Sequence, residues 1–125
     1  MQIASYRDLN VWKEGIALTL SVYKLTAQFP DTERFGLVSQ MRRCAVSVPS
    51  NIAEGHARLS TREYIRYVSV ALGSLAELET QLQLGSELGY ARCEVVEGLL
   101  ANSDRLGKQL RSLTKTLKNK IEWAG

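Results

Sequence analysis

Lys108, Arg111, Lys115 and Lys118 are the side chains whose type and spacing are best suited to chemistry, and that chemistry is the holding of phosphate. At about 100° per residue of helix they share an arc roughly 80° wide, some 140° from the leucine stripe of the same segment. They therefore form a ridge facing solvent. Arg105 and Lys120 sit nearby but off the line. Residues 1–90 carry nine basic and nine acidic side chains, and residues 91–125 carry seven basic and four acidic, so the net charge of +3 arises in the last segment. A ridge of this kind contacts nucleic-acid backbone with steep salt dependence and little sequence selectivity, since no aromatic residue suited to base stacking accompanies it. Arg105, Lys108, Arg111, Lys115 and Lys118 are the candidate RNA or DNA contacts. Two other readings stay open. One is a solvated helix face whose basic residues suit the negative end of a helix dipole. The other is a surface that docks an acidic protein partner without touching nucleic acid.

Residues for catalysis are poorly arranged. His56 is the single histidine, and no Ser or Cys is tied to it by a recognisable pattern. Glu54 and Glu77 could be imagined as an acid–base pair, but Arg43 lies on the face of Glu54, and Arg62 and Arg66 lie near that of Glu77. Polar contacts between helices are the expectation for them. Cys44 lies in an apolar arc and Cys93 after a turn, with no Cys or His at ligand spacing from either, so two reduced packing thiols are expected. No glycine-rich phosphate loop or metal motif occurs. A non-enzyme without cofactor or metal is the reading.

The elements that must position these residues are helical. A chain of 125 residues suits one domain, and Leu, Ala, Glu, Lys, Arg and Gln fill its periodic segments. No stretch approaches the roughly 20 apolar residues of a membrane span, and the start, MQIASYRDLNVWKEG, has no signal-peptide pattern. A cytoplasmic protein without membrane contact is expected. The periodicity predicts a first helix over 7–29, with Leu9, Trp12, Ile16, Leu20, Tyr23 and Ala27 as its core stripe and Pro30 at its end. Asp31 or Thr32 should cap a second helix over 32–55, stopped by Gly55. Ser60 and Glu63 fit a capping box opening a third helix over 60–88, whose Tyr64, Val68, Ala71, Leu75, Leu78 and Leu82 form a heptad-like run before Gly89. A fourth helix over 93–121 should bury Val95, Leu99, Leu106, Leu110, Leu113, Leu117 and Ile121. Four such helices with short loops make an all-α, antiparallel, up-down-up-down four-helix bundle.

The second helix carries an unusual pattern. Gln40, Arg43, Ser47, Asn51 and Glu54 form a polar arc beside the apolar Leu37, Met41, Cys44, Val48 and Ile52, while Ala45, Val46, Pro49 and Ala53 extend apolar character further round. A helix wetted on one side shows one apolar stripe. This one should therefore be buried deeply or covered by another subunit. Pro49 gives no N–H to the carbonyl of Ala45, so the spacing predicts a kink there, with the hydroxyls of Ser47 and Ser50 near the freed groups. The alternative is a helix that stops at Val48 and a short second one from Ser50.

The stretches YRDLNVW (6–12), FP (29–30), FGLVSQMRRCAVSVPSNIAEG (35–55), GSLAELETQL (73–82) and LGY (88–90) closely resemble the four-helix bundle proteins encoded in intervening sequences of bacterial 23S ribosomal RNA genes. The accessory variability determinant of diversity-generating retroelements is similar to these. The resemblance covers nearly all of the first three helices, and the fourth matches in length and leucine pattern. It implies a closed bundle that assembles as a homopentamer, bacterial and cytoplasmic, without known catalysis. It also implies that the polar arc of Gln40, Arg43, Ser47, Asn51 and Glu54, together with Ser74, Glu77 and Gln81, serves bundle and subunit packing. The retroelement branch implies nucleic acid and a reverse transcriptase as partners.

Overall fold

The computed structural model describes residues 5–124. A 3₁₀ turn, Tyr6–Asp8, precedes α1 (Asn10–Thr26). The single helix expected over 7–29 is divided because Leu9 is extended, and the N–H groups of Asp8 and Leu9 close onto carbonyls three residues back. At the other end the N–H groups of Gln28 and Phe29 close in the same tight way on Leu25 and Thr26, and Pro30 has no N–H with which to continue.

The buried face of α1 also differs from the expectation. Gly15, Leu18, Val22 and Leu25 are buried, whereas Leu20 is 66% exposed and Tyr23 42%. The helix carries two apolar stripes roughly 140° apart, and the structure turns the second one inward. Gly15 faces Pro49 at the closest point of that side: a Cβ there would stand 3.3 Å from Cβ of Pro49, so any larger residue would push the two helices apart by a few tenths of an ångström. Leu9, Trp12 and Ile16 are left half-buried and Leu20, Tyr23 and Ala27 exposed on the outer side.

A second 3₁₀ turn, Asp31–Glu33, leads to α2 (Leu37–Ala57). Neither Asp31 nor Thr32 caps it; Oε1 of Glu33 accepts the N–H of Leu37 at 3.2 Å instead. The helix also runs past Gly55. A Cβ at that position would lie 2.9 Å from both Cδ1 of Tyr64 and Cβ of Tyr67, so the glycine serves close approach rather than termination. Across Pro49 α2 is one unbroken helix, which removes the reading of two helices divided at Val48; no break marks the expected kink.

Ser60 Oγ accepts the N–H of Glu63 at 3.3 Å and opens α3 (Thr61–Glu87), whose Val68, Ala71, Leu75, Leu78 and Leu82 are buried as the heptad-like run predicts. Gly89, at φ 77°, ends it. Its N–H bonds the carbonyl of Ser86 at 3.0 Å and that of Tyr90 bonds Gly85 at 2.9 Å, the paired closure that a left-handed residue after a helix allows. The last helix, α4 (Cys93–Ala124), buries Val96, Leu99, Leu106, Leu110 and Leu117, with Val96 taking the inward place expected of the exposed Val95.

The four helices of the described residues pack in chain order, α2 most extensively on α3, with α4 closing more lightly on α1. This is the four-helix bundle that the periodicity predicts. Its core is continuous through Val22, Met41, Val48, Ile52, Val68, Leu78, Leu82, Leu106 and Leu110. Fully buried Ser103 donates to Oε2 of Glu79 at 2.6 Å and ties α4 to α3.

Candidate functional site

Because the leucine stripe fixes the rotation of α4, its basic residues stand outward. Arg105, Lys108, Arg111, Lys115 and Lys118 are all exposed. They are not equally free. Arg105 Nε donates to Glu14 Oε1 on α1 at 3.3 Å, and its Nη2 to Asn102; Lys108 pairs with Asp104 one turn back at 3.2 Å. Among the described residues Arg111, Lys115 and Lys118 have no carboxylate within ion-pair distance. The guanidinium of Arg111 lies over Gly107, where a Cβ would be 3.5 Å away, beside a small hollow formed with Glu79, Ser103 and Asp104.

Antiparallel packing brings the start of α3 beside the end of α4. Arg62 and Lys118 line one groove of about 300 Å³ with Ile65, Ile121 and Glu122. The ridge thus continues onto Arg62, which sequence reasoning had set against Glu77. Only the pairing of helix ends reveals it.

The polar arc of α2 divides into two parts. Ser47 Oγ shares a 2.8 Å hydrogen bond with Ser74 Oγ, and Asn51 Nδ2 donates to the carbonyl and hydroxyl of Ser47 at 2.7 and 2.9 Å. Cys44 Sγ donates to Glu77 Oε2 at 3.0 Å, and Gln81 Nε2 reaches Cys44 Sγ at 3.5 Å, leaving Oε1 of the buried Gln81 without a partner. These residues form a seam between α2 and α3. Gln40, Arg43 and Glu54 are exposed in the single chain. Glu54 pairs with Arg58 at 3.3 Å, not with Arg43, and Glu77 engages Cys44, not Arg62 or Arg66.

Ser47 and Ser50 do not serve the carbonyl that Pro49 leaves free. Thr19 of α1 stands there: its one hydroxyl proton is shared between the carbonyl of Ala45 at 3.0 Å and that of Gly15, one turn back on its own helix, at 2.8 Å. A threonine that reaches a neighbouring helix carries no signal in the sequence of α2.

His56 stands edge-on to Tyr64 with ring centroids 5.9 Å apart. Burial first, and then the Glu77 carboxylate, push the Cys44 thiol up to about 11, so it is protonated near neutrality. Among the described residues no group of three or more His, Cys, Asp or Glu is placed to hold a metal ion, and no helix is long and apolar enough to cross a membrane.

The family described as 23S rRNA-intervening sequence protein matches residues 7–112. No curated protein matches the chain. A crystal structure of a protein with unknown function from the S23 ribosomal protein family of Bacteroides thetaiotaomicron superposes with a TM-score of 0.76 at 24% identity, covering 84% of this chain and 98% of that one. At that identity the likeness speaks for the bundle.

Proposed function

The chain belongs to the 23S rRNA-intervening sequence protein family, and from that premise we propose that it is a non-catalytic homo-oligomer, a homopentamer as the resemblance implies, that holds nucleic-acid backbone along the outer face of α4. The observation that carries this reading is the row of Arg111, Lys115 and Lys118, exposed and without carboxylate partners among the described residues, with Arg62 sharing the groove of Lys118. Side chains of this kind release condensed counterions when they replace them on phosphate. Lys115 and Lys118 lie beyond the family match, so the ridge is argued from this chain's own residues.

The second apolar stripe of α1 supports association. One copy turns Gly15, Leu18 and Val22 inward and leaves Leu20 exposed, and a neighbouring copy would cover it. Repetition of the chain around a closed assembly multiplies the ridges and deepens the attraction for a polyanion.

Fluorescence anisotropy with duplex and single-stranded RNA, from about 50 to about 200 mM salt, tests the reading. Affinity should fall steeply with salt, and changing Arg111, Lys115 and Lys118 to Gln should weaken both ligands alike and flatten the salt slope. Absence of any complex at the lower salt would remove it.

A further inference from the structure

Aromatic residues do accompany arginines on this protein, at the end of the bundle opposite Lys118. Where α1 ends and α2 begins, Tyr23, Arg34, Phe35, Arg42, Arg43 and Val46 line an open groove of about 490 Å³. Phe35 is 89% exposed, and the guanidinium of Arg34 lies over its ring at 5.5 Å. Arg42 stacks on Tyr23 at 4.5 Å and is held there by Thr26 Oγ1, which accepts from its Nε at 2.9 Å. No carboxylate lines the groove, and among the described residues none of its three arginines forms an ion pair.

An occupant must match both features. Three uncompensated cations ask for repeated negative charge, and an aromatic ring left in water beside them asks for a flat apolar face. A duplex offers the charge but keeps its bases stacked inside. An acidic peptide also offers charge but no row of planar rings. A single strand offers both, since every base has a π-face and every link a phosphate. The geometry points to this groove as a site for an unstacked nucleotide of single-stranded nucleic acid, its base on Phe35 and its flanking phosphates on Arg34 and Arg43. The site shares its class of ligand with the α4 ridge but none of its residues, and so stands or falls separately.

The full chain is tested by anisotropy with labelled oligouridine, an abasic ribose–phosphate chain of the same length, and duplex RNA. Phe35→Ala should lower affinity for oligouridine about tenfold and leave the other two ligands unchanged, while Phe35→Tyr retains binding. Arg34→Gln with Arg43→Gln should weaken the oligouridine and abasic chains together. Lys115→Gln with Lys118→Gln reads the ridge instead, and its failure to weaken any ligand overturns the ridge without touching the groove. Three results overturn the groove: oligouridine no tighter than the abasic chain, Phe35→Ala equal to wild type, or polyglutamate competing as well as oligouridine. Sedimentation of Phe35→Ala as a smaller assembly, with oligouridine affinity intact, likewise overturns it and assigns the face to contact between copies.

Discussion

The hydroxyl of Thr19 stands 3.0 Å from the carbonyl oxygen of Ala45, the acceptor that Pro49 leaves without an intrahelical N–H. In place of the donor that the proline removes from α2, α1 offers this hydroxyl, whose proton the Ala45 carbonyl shares with that of Gly15. Thr19→Val keeps the shape and removes the hydroxyl, leaving a half-buried carbonyl unpaired at a cost of about 1–2 kcal/mol. In a Pro49→Ala background the N–H of residue 49 returns to Ala45, so the same Thr19→Val change should cost less, with a coupling of about 0.5 kcal/mol or more. Urea unfolding of the four proteins measures it. Equal losses in the two backgrounds would show that the hydroxyl does not act on the freed carbonyl.

The positions of helices were legible where the sequence carries local signals, and faces were legible only where one stripe dominates. Ser60, Glu63 and Gly89 mark both ends of α3, and its heptad-like run leaves a single choice of buried side. On α1 two stripes of comparable apolarity compete, and the buried one is that which brings Gly15 against Pro49, a contact between helices that no local pattern encodes. Gly55 misled for a related reason. A glycine near a helix end signals termination when it adopts positive φ, as Gly89 does, but it serves equally to admit a neighbour's ring. Of the candidate site, the spacing gave the ridge of α4, whereas Arg62 and the arginine–aromatic groove depend on which helix ends meet.

Gly55→Ala and Gly73→Ala should move stability in opposite directions. Alanine gains about 0.5–1 kcal/mol over glycine in a helix interior. At Gly73 nothing lies within 4 Å of the added Cβ, so that gain is kept. At Gly55 the new atom meets Tyr64 and Tyr67 at 2.9 Å and the Tyr64 carbonyl oxygen at 3.3 Å, and α3 must move away. Overpacking of this kind costs about 1–3 kcal/mol, so a net loss is expected there. Thermal melts of the two variants decide it, and a stabilised Gly55→Ala would contradict the packing described at that crossing.

The two thiols should separate in reactivity, and the buried one should add a pH dependence to stability. Cys93 is exposed, and Cys44 is buried with its thiol donating to Glu77. At about pH 8 a thiol reagent should label Cys93 and reach Cys44 only on unfolding. The Cys44 thiol rises from 9.0 to about 11 in the fold, so between those values the unfolded chain releases the proton first. Stability from this group is therefore intact below pH 9 and is lost as pH rises toward about 11. The urea midpoint should fall over that window, and fall less in Cys44→Ala. Identical slopes in the two proteins would remove Cys44 from the pH response.

Leu20 offers the most direct test of association. At 66% exposure it contributes little to the single chain, so Leu20→Glu should leave the isolated bundle within about 0.5 kcal/mol of wild type. Covered by a second copy, the same carboxylate would be desolvated without a partner at a cost of several kcal/mol, enough to dissociate an assembly held by modest apolar contacts. Light scattering should therefore report a multiple of the chain mass for wild type and a single chain with full helicity for Leu20→Glu. Since summed ridges bind a polyanion more tightly than one, the dissociated variant should also bind RNA more weakly at moderate salt, although Leu20 lies on α1 and the ridge on α4. A wild-type chain that scatters as one copy would leave the outward stripe of α1 without its proposed cover, and the ridge would then act with the charge of a single chain.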